Sequence, residues 1–201
     1  MRECLRVEAP ELLLKYGRAI AENYVEKRRD NPSYEFKWPQ RERQKLGTVV
    51  HVALEAMTQG RCAYRDLYPN AGGDDEIDHF RPKSRPEFYH LVCTWENLFL
   101  ICTACNGAKS NDWEEAFLRP DEPGFSFSRY FSYRFDTAEL EPNAAASDEE
   151  QHRAKRTIEI LDLNRPTACV LRRQVIKLIL HAASDQELED LGYRYLIPLC
   201  R

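Results

Sequence analysis

Apolar residues recur three and four positions apart in two stretches near the start of the chain. Leu13, Tyr16, Ile20 and Tyr24 share one helical face and lead to Lys27-Arg28-Arg29, cations that suit the carbonyl end of a helix dipole. Pro10 can take the first turn, where a missing N–H costs nothing, so the spacing predicts a helix over about 10–29. Asn31-Pro32-Ser33 breaks it. Leu46, Val49, Val50, Ala53, Leu54 and Met57 resume the period, predicting a second helix over about 40–59 that Gly60 ends. The two can pack as an antiparallel pair. His51 lies among the apolar positions of the second helix, as a core or surface residue or as a ligand.

From Arg61 the helical period stops. Pro69-Asn70-Ala71-Gly72-Gly73 and Asp74-Asp75-Glu76 predict a polar loop before a short strand at 77–80. Residues 98–102 read as a second strand, and the segment from Cys105 into Trp113 and Phe117 suits a helix. Arg119-Pro120-Asp121-Glu122-Pro123-Gly124 is turn-rich. Phe125, Phe127, Tyr130, Phe131, Tyr133 and Phe135 then alternate in part, predicting a hairpin or extended cover. Ser147 with Glu150 forms a capping box, and Ala154, Ile158 and Leu161 mark a helix ending near Asn164. Pro166 starts another, through Val170, Leu171, Val175, Leu178 and Ile179; Ser184 with Glu187 opens a shorter one that Gly192 closes. The fold class is α+β, mainly helical. A helical region at 1–61 precedes a small strand-strand-helix motif at 62–118, a linker and extended segment at 119–146, and a helical region at 147–201.

The 201 residues suffice for one or two compact units. With 43% hydrophobic and 31% charged residues the chain reads as globular. No run approaches the roughly 18 apolar residues of a membrane span, and the start lacks the apolar stretch of a signal peptide; the expectation is a cytoplasmic protein. Seven cysteines is an odd number, and in a reducing compartment the pair Cys102 and Cys105 is a metal or redox pair rather than part of a disulfide framework. A net charge of -4 argues against gripping nucleic acid through a bulk positive field. The cations are local: Lys27-Arg28-Arg29; Arg41, Arg43 and Lys45; Arg81, Lys83 and Arg85; Arg153, Lys155 and Arg156; Arg172-Arg173. Most such clusters are solvated helix faces, and a partner could supply the missing affinity.

The chemistry concentrates between Cys62 and Asn111. Phosphodiester hydrolysis needs an activated water, a cation on the phosphate and neutralisation of developing charge; Asp78-His79 can serve the first two needs. Strand neighbours point to opposite faces, so a strand end or bulge has to bring them into one site. Asn97 follows His79 by eighteen positions, Asn106 follows Asn97 by nine, and Lys109 comes three later. This order and spacing resembles the HNH (ββα-metal) nuclease motif. The resemblance implies that His79 is the general base, Asp78 and Asn106 ligate a divalent metal, and Asn97 fixes the His79 loop. A carboxylate and an amide oxygen are hard donors, which suits Mg²⁺ or Mn²⁺. Asp78-His79-Phe80-Arg81-Pro82-Lys83, Trp95-Glu96-Asn97-Leu98, Cys102-Thr103-Ala104-Cys105-Asn106 and Thr157-Ile158-Glu159-Ile160-Leu161-Asp162-Leu163-Asn164-Arg165 look like the PtuB-like HNH proteins of Septu and retron-associated antiviral systems. That likeness implies a PtuA-like ATPase partner and, in the retron branch, a reverse transcriptase with its RNA-linked DNA.

One position departs from the family pattern of two C-x-x-C pairs around a structural zinc. The first pair here is Cys62 and Arg65, and a guanidinium has no lone pair to give. Cys62, Cys102 and Cys105 remain, with Asp66, Cys93, His51 or water to complete a tetrahedron; otherwise the site is empty and the thiols are ordinary buried cysteines. Arg81, Lys83 and Lys109 flank the motif as phosphate contacts, or Arg81 and Lys83 pair with Asp74, Asp75 or Glu76. Trp95 and Trp113 serve as core packing or as stacking platforms. A competing class is a non-catalytic zinc-finger-like binding or scaffold module, to which the Asp-His-Asn-Asn set would contribute nothing. The motif attacks a phosphate and carries no evident base reader, which leaves DNA and RNA, tRNA included, as substrates.

Overall fold

The computed structural model describes residues 1–69, 75–182 and 184–201; the expected polar loop lies partly outside them, at 70–74. Helix α1 (Glu11–Asp30) starts one residue beyond the expected Pro10, which caps it: the Pro10 carbonyl accepts from Leu13 and Leu14 N–H at 2.9 and 3.0 Å. It buries Leu12, Leu13, Gly17, Ile20, Ala21 and Tyr24 and packs on α2 (Leu46–Thr58) and on a 3-10 turn at Pro86–Leu91.

The second helix begins later than its period predicts. Residues 40–45 form a tight antiparallel hairpin, β1 (Gln40–Arg41) with β2 (Gln44–Lys45), turned by Glu42 and Arg43 at φ 48° and 64°. Two left-handed residues in a two-residue loop match the right-handed strand twist. The reason is compositional: Gln40 to Lys45 has no apolar side chain to hold a helical turn on the core. Leu46, fully buried, is the first that does, and α2 (Leu46–Thr58) starts there. It ends at Gln59 and Gly60, both with positive φ.

Strands β3 (Asp75–His79) and β4 (Leu98–Cys102) pair antiparallel, with Asp78 opposite Phe99 and His79 opposite Leu98. Every residue of β4 is buried, because α2 packs on it and an aromatic cluster surrounds Phe99: Tyr64 and Phe80 lie at 6.2 and 6.1 Å, and Phe117 stacks on Phe80 at 5.0 Å. Helix α3 (Thr103–Lys109) follows directly. It stops well short of the expected Trp113 and Phe117, since Ser110 takes φ 46° and the chain turns so that Trp113 meets Phe88 and Phe117 meets Phe80.

The aromatic run opens as a helical turn, α4 (Phe127–Tyr130), before the expected hairpin of β5 (Phe131–Tyr133) and β6 (Leu140–Pro142). Helix α5 (Asp148–Ile160) carries the Ser147–Glu150 capping box, α6 (Pro166–His181) starts at Pro166, and α7 (Asp185–Asp190) has the Ser184–Glu187 box; α8 (Ile197–Cys200) closes the chain. One continuous core joins the helices and the two longer hairpins, and the polar β1–β2 hairpin contributes no side chain to it. Polar contacts fasten the C-terminal helices to it: Arg165 donates to the Ala104 carbonyl on α3, and Leu118 N–H donates to Thr157 Oγ. Asp66 and Arg194 form a buried multidentate pair at 2.6 Å between residues 128 apart. No helix among the described residues is long and apolar enough to cross a membrane.

Candidate active site

His79 is the last residue of β3 and only 2% exposed. Its Nε2 lies 3.0 Å from the Val92 carbonyl. A carbonyl only accepts, so Nε2 carries the proton and Nδ1 the lone pair. Nδ1 is buried and has no hydrogen-bond partner among the described residues. Burial first, then the Lys83 charge, pushes the imidazole down to about 3, which keeps it neutral with that lone pair available. Phe36 stands edge-on to the ring at 6.0 Å and Trp38 lies nearly parallel to it at 6.4 Å. Both come from the segment between α1 and β1, which follows the helix break at Asn31-Pro32-Ser33 and which the helical periods pass over. The alternation of Tyr34, Phe36 and Trp38 with exposed Glu35 and Lys37 was the signal for an extended strap with an inward face.

Asp78 is 5% exposed and points toward α3, where its Oδ1 accepts from Lys109 Nζ at 2.9 Å. Its Oδ2 is buried and unpartnered among the described residues. Lys109, expected as a phosphate contact, has its ammonium fully buried here, where it also donates to the His79 carbonyl at 2.8 Å. Asn106, half-buried on α3, donates through Nδ2 to Glu76, and its amide oxygen makes no hydrogen bond among the described residues. Glu76 precedes Asp78 by two positions and so shares its strand face. Asn97 ends a 3-10 turn at Trp95–Asn97. Its Oδ1 accepts from Arg81 N–H at 2.8 Å, its Nδ2 donates to the Arg81 and Leu91 carbonyls, and its own carbonyl accepts from Phe80 N–H. It thereby stitches the residues after His79 to those before Val92.

Arg81 packs over Trp113 and Phe88 with a 3.9 Å contact to exposed Glu115; Asp75 is engaged by His51 at 3.1 Å and Glu76 by Asn106. Pairing of Arg81 or Lys83 with Asp75 or Glu76 is therefore not seen, and Asp74 lies outside the described residues. Lys83 is half-buried with no salt bridge among the described residues, and burial lowers its pKa while Asp78 and Glu76 raise it. Lys83 and Lys109 both act against protonation of His79. Trp113 packs on Phe88, and Trp95 is buried with its indole N–H on the Val7 carbonyl.

The sulfurs of Cys62, Cys102 and Cys105 gather within 4.8 Å of one another, all buried. The Cys105 and Cys62 thiols donate to Cys102 and draw its pKa down, helped by the nearby Arg65. Burial pushes Cys62 up to about 11. Three sulfurs around a shared charge fit a thiophilic cation such as zinc. None of the protein candidates for a fourth ligand joins them: Asp66 is held by Arg194, His51 by Asp75 and Glu55, and Cys93 faces Gly17 of α1. Arg65 turns to Tyr193, donating to its hydroxyl at 2.6 Å.

For the second metal, the donor set of Asp78 Oδ2 and the Asn106 amide oxygen suits a hard divalent ion, and the orphaned buried Oδ2 is an acceptor that such an ion would satisfy. The family model for HNH endonucleases matches residues 60–112. The Septu protein PtuB of Bacillus mycoides (strain KBAB4) is 31% identical over 85 residues, which covers 35% of this chain and 29% of that protein. The chain thus spans less than a third of that relative's length. Every residue placed above on β3, β4, α3 and the turn before β4 falls inside the family match, and the chain therefore carries an HNH endonuclease domain.

Proposed function

We propose that the protein is a metal-dependent nuclease that hydrolyses phosphodiester bonds of DNA or RNA, tRNA among them, with Mg²⁺ or Mn²⁺. The observation that carries this reading is the geometry of His79, whose Nε2 is held on the Val92 carbonyl and whose Nδ1 has no hydrogen-bond partner among the described residues. In this reading Nδ1 takes the proton from the attacking water. Asp78 and Asn106 would hold the divalent ion, which when bound supplies charge neutralisation at the phosphate and leaving group. Asn97 keeps the loop on either side of His79 in register, while Arg81 and Lys83 meet the phosphate. A zinc on Cys62, Cys102 and Cys105, with a non-protein fourth ligand, would brace the foot of α3. The likeness to a Septu PtuB supports a role in antiviral defence in the cytoplasm beside a PtuA-like ATPase. A retron reverse transcriptase with its RNA-linked DNA is the further partner that the sequence resemblance implies. His79 is 2% exposed and Phe36 and Trp38 pack against its ring; in this reading the strap they form moves aside to admit the phosphodiester, a step for a partner to control.

The test is His79→Ala, assayed for cleavage of labelled DNA and RNA alongside thermal melting. Loss of a general base lowers the rate about 10²–10⁴-fold with the melting curve retained. A folded variant that cuts at the original rate would remove His79 from the mechanism.

A further inference from the structure

We infer that Lys109 is a positioning residue that holds the two metal-ligating elements in register and commits one oxygen of Asp78 to the ion. The inference rests on the metal reading proposed above and deepens it. Lys109 ends α3, three residues after Asn106 and therefore on the same helical face. Its ammonium crosses to β3 and takes two acceptors there, Asp78 Oδ1 at 2.9 Å and the His79 carbonyl at 2.8 Å. One side chain thus ties the helix bearing one proposed ligand to the strand bearing the other. The second consequence concerns Asp78 alone. With Oδ1 occupied by a buried cation, the carboxylate cannot rotate freely, and Oδ2 is left as the orphaned acceptor. Outer partners that orient a ligand in this way commonly govern both metal affinity and rate.

A phosphate-contact role would demand that the ammonium leave two buried hydrogen bonds and abandon an unpaired carboxylate in the interior, a costly separation. A merely structural tether would hold α3 in place without influencing which oxygen of Asp78 faces the ion. The three roles separate experimentally.

Two variants of the full chain are compared with the original, each first checked by melting. Lys109→Met keeps the length of the side chain without its charge; Lys109→Arg keeps the charge but displaces Asp78 with a larger head group, and serves if the methionine variant does not fold. Mn²⁺ binding is measured directly from the free-ion paramagnetic resonance signal, and cleavage is followed against substrate and salt concentration. The expected result is Mn²⁺ affinity weakened about 10–100-fold in each folded variant, with kcat lowered and KM and its salt dependence unchanged. Unaltered Mn²⁺ affinity with a raised KM and a shallower salt dependence would overturn the inference in favour of phosphate contact. Unaltered affinity and kinetics with only a lowered melting temperature would overturn it in favour of a tether. Absence of Mn²⁺ binding by the original protein would overturn the metal reading itself, and this inference with it.

Discussion

At Arg65 a group that stays protonated stands where a zinc knuckle has a thiol, and its surroundings explain how the interior tolerates it. The guanidinium donates to the Tyr193 hydroxyl and lies near the Cys102–Cys105 pair, so its charge faces a hydroxyl and the sulfurs of that pair. Three sulfurs with no fourth protein ligand among the described residues should hold zinc less firmly than four. Restoring the ligand with Arg65→Cys is expected to raise zinc per chain toward one, read by elemental analysis after dialysis. Stoichiometric zinc before the change and no gain after it would mean that the three-sulfur shell already suffices. The inability of Arg65 to ligate was legible from its chemistry. Its partner was not, because Tyr193 is 128 positions away. Lys109 teaches the same lesson with the opposite outcome: a lysine beside a nuclease motif suggests phosphate, and burial against Asp78 redirects it.

Among the elements, the strap over His79 and helix α3 differ most from their sequence patterns. Trp38 reaches the site because Gly47, in the first turn of α2, has no side chain: a Cβ there would lie 2.8 Å from Trp38 Cγ. Gly47→Ala should therefore overpack the strap and cost about 1–3 kcal/mol, measured by denaturant unfolding. Gly107 makes the contrast. It sits in α3 with nothing within 4 Å of its would-be Cβ, so Gly107→Ala should stabilise the protein by about 0.4–1 kcal/mol through the unfolded chain. Equal effects of the same sign would mean that the space around Trp38 does not constrain the strap. The capping boxes at Ser147 and Ser184 were readable because they are local, each complete within four residues. The hairpin at 40–45 is also local, but its six polar residues carry no strand alternation, and only the left-handed pair Glu42 and Arg43 reveals it.

For the whole molecule, the negative net charge and the covered base both point outward, to a partner. Helix α1 leaves Leu14 70% exposed, and α6 leaves Leu178 and Leu180 at 54% and 60%, so the two long flanking helices offer apolar side chains that their own core does not use. These are the helices expected to carry protein contacts. Purified with the PtuA-like ATPase proposed as its partner, the chain should co-elute on size exclusion and cleave faster than it does alone. Co-elution should weaken in Leu14→Asp or Leu178→Asp, both at solvent-facing positions. A monomer that ignores the ATPase and cuts equally fast without it would end the partner proposal.

What the sequence determined by itself was whatever a short window contains: helical periods, capping boxes, the strand at 98–102, the Asp-His-Asn-Asn spacing and the missing fourth cysteine. Periodicity and spacing follow from backbone geometry that repeats every few residues, so no distant part of the chain is needed to read them. Tertiary structure alone decided where the polar groups of those windows are spent. It sent Lys109 to Asp78 and His79, Asn106 to Glu76, Arg65 to Tyr193 and Asp66 to Arg194, and it laid Phe36 and Trp38 over the proposed base. The physical reason is that a buried polar group must find a partner or bear the full cost of lost hydration. Which partner it finds depends on the elements that packing brings together, and no local pattern records that.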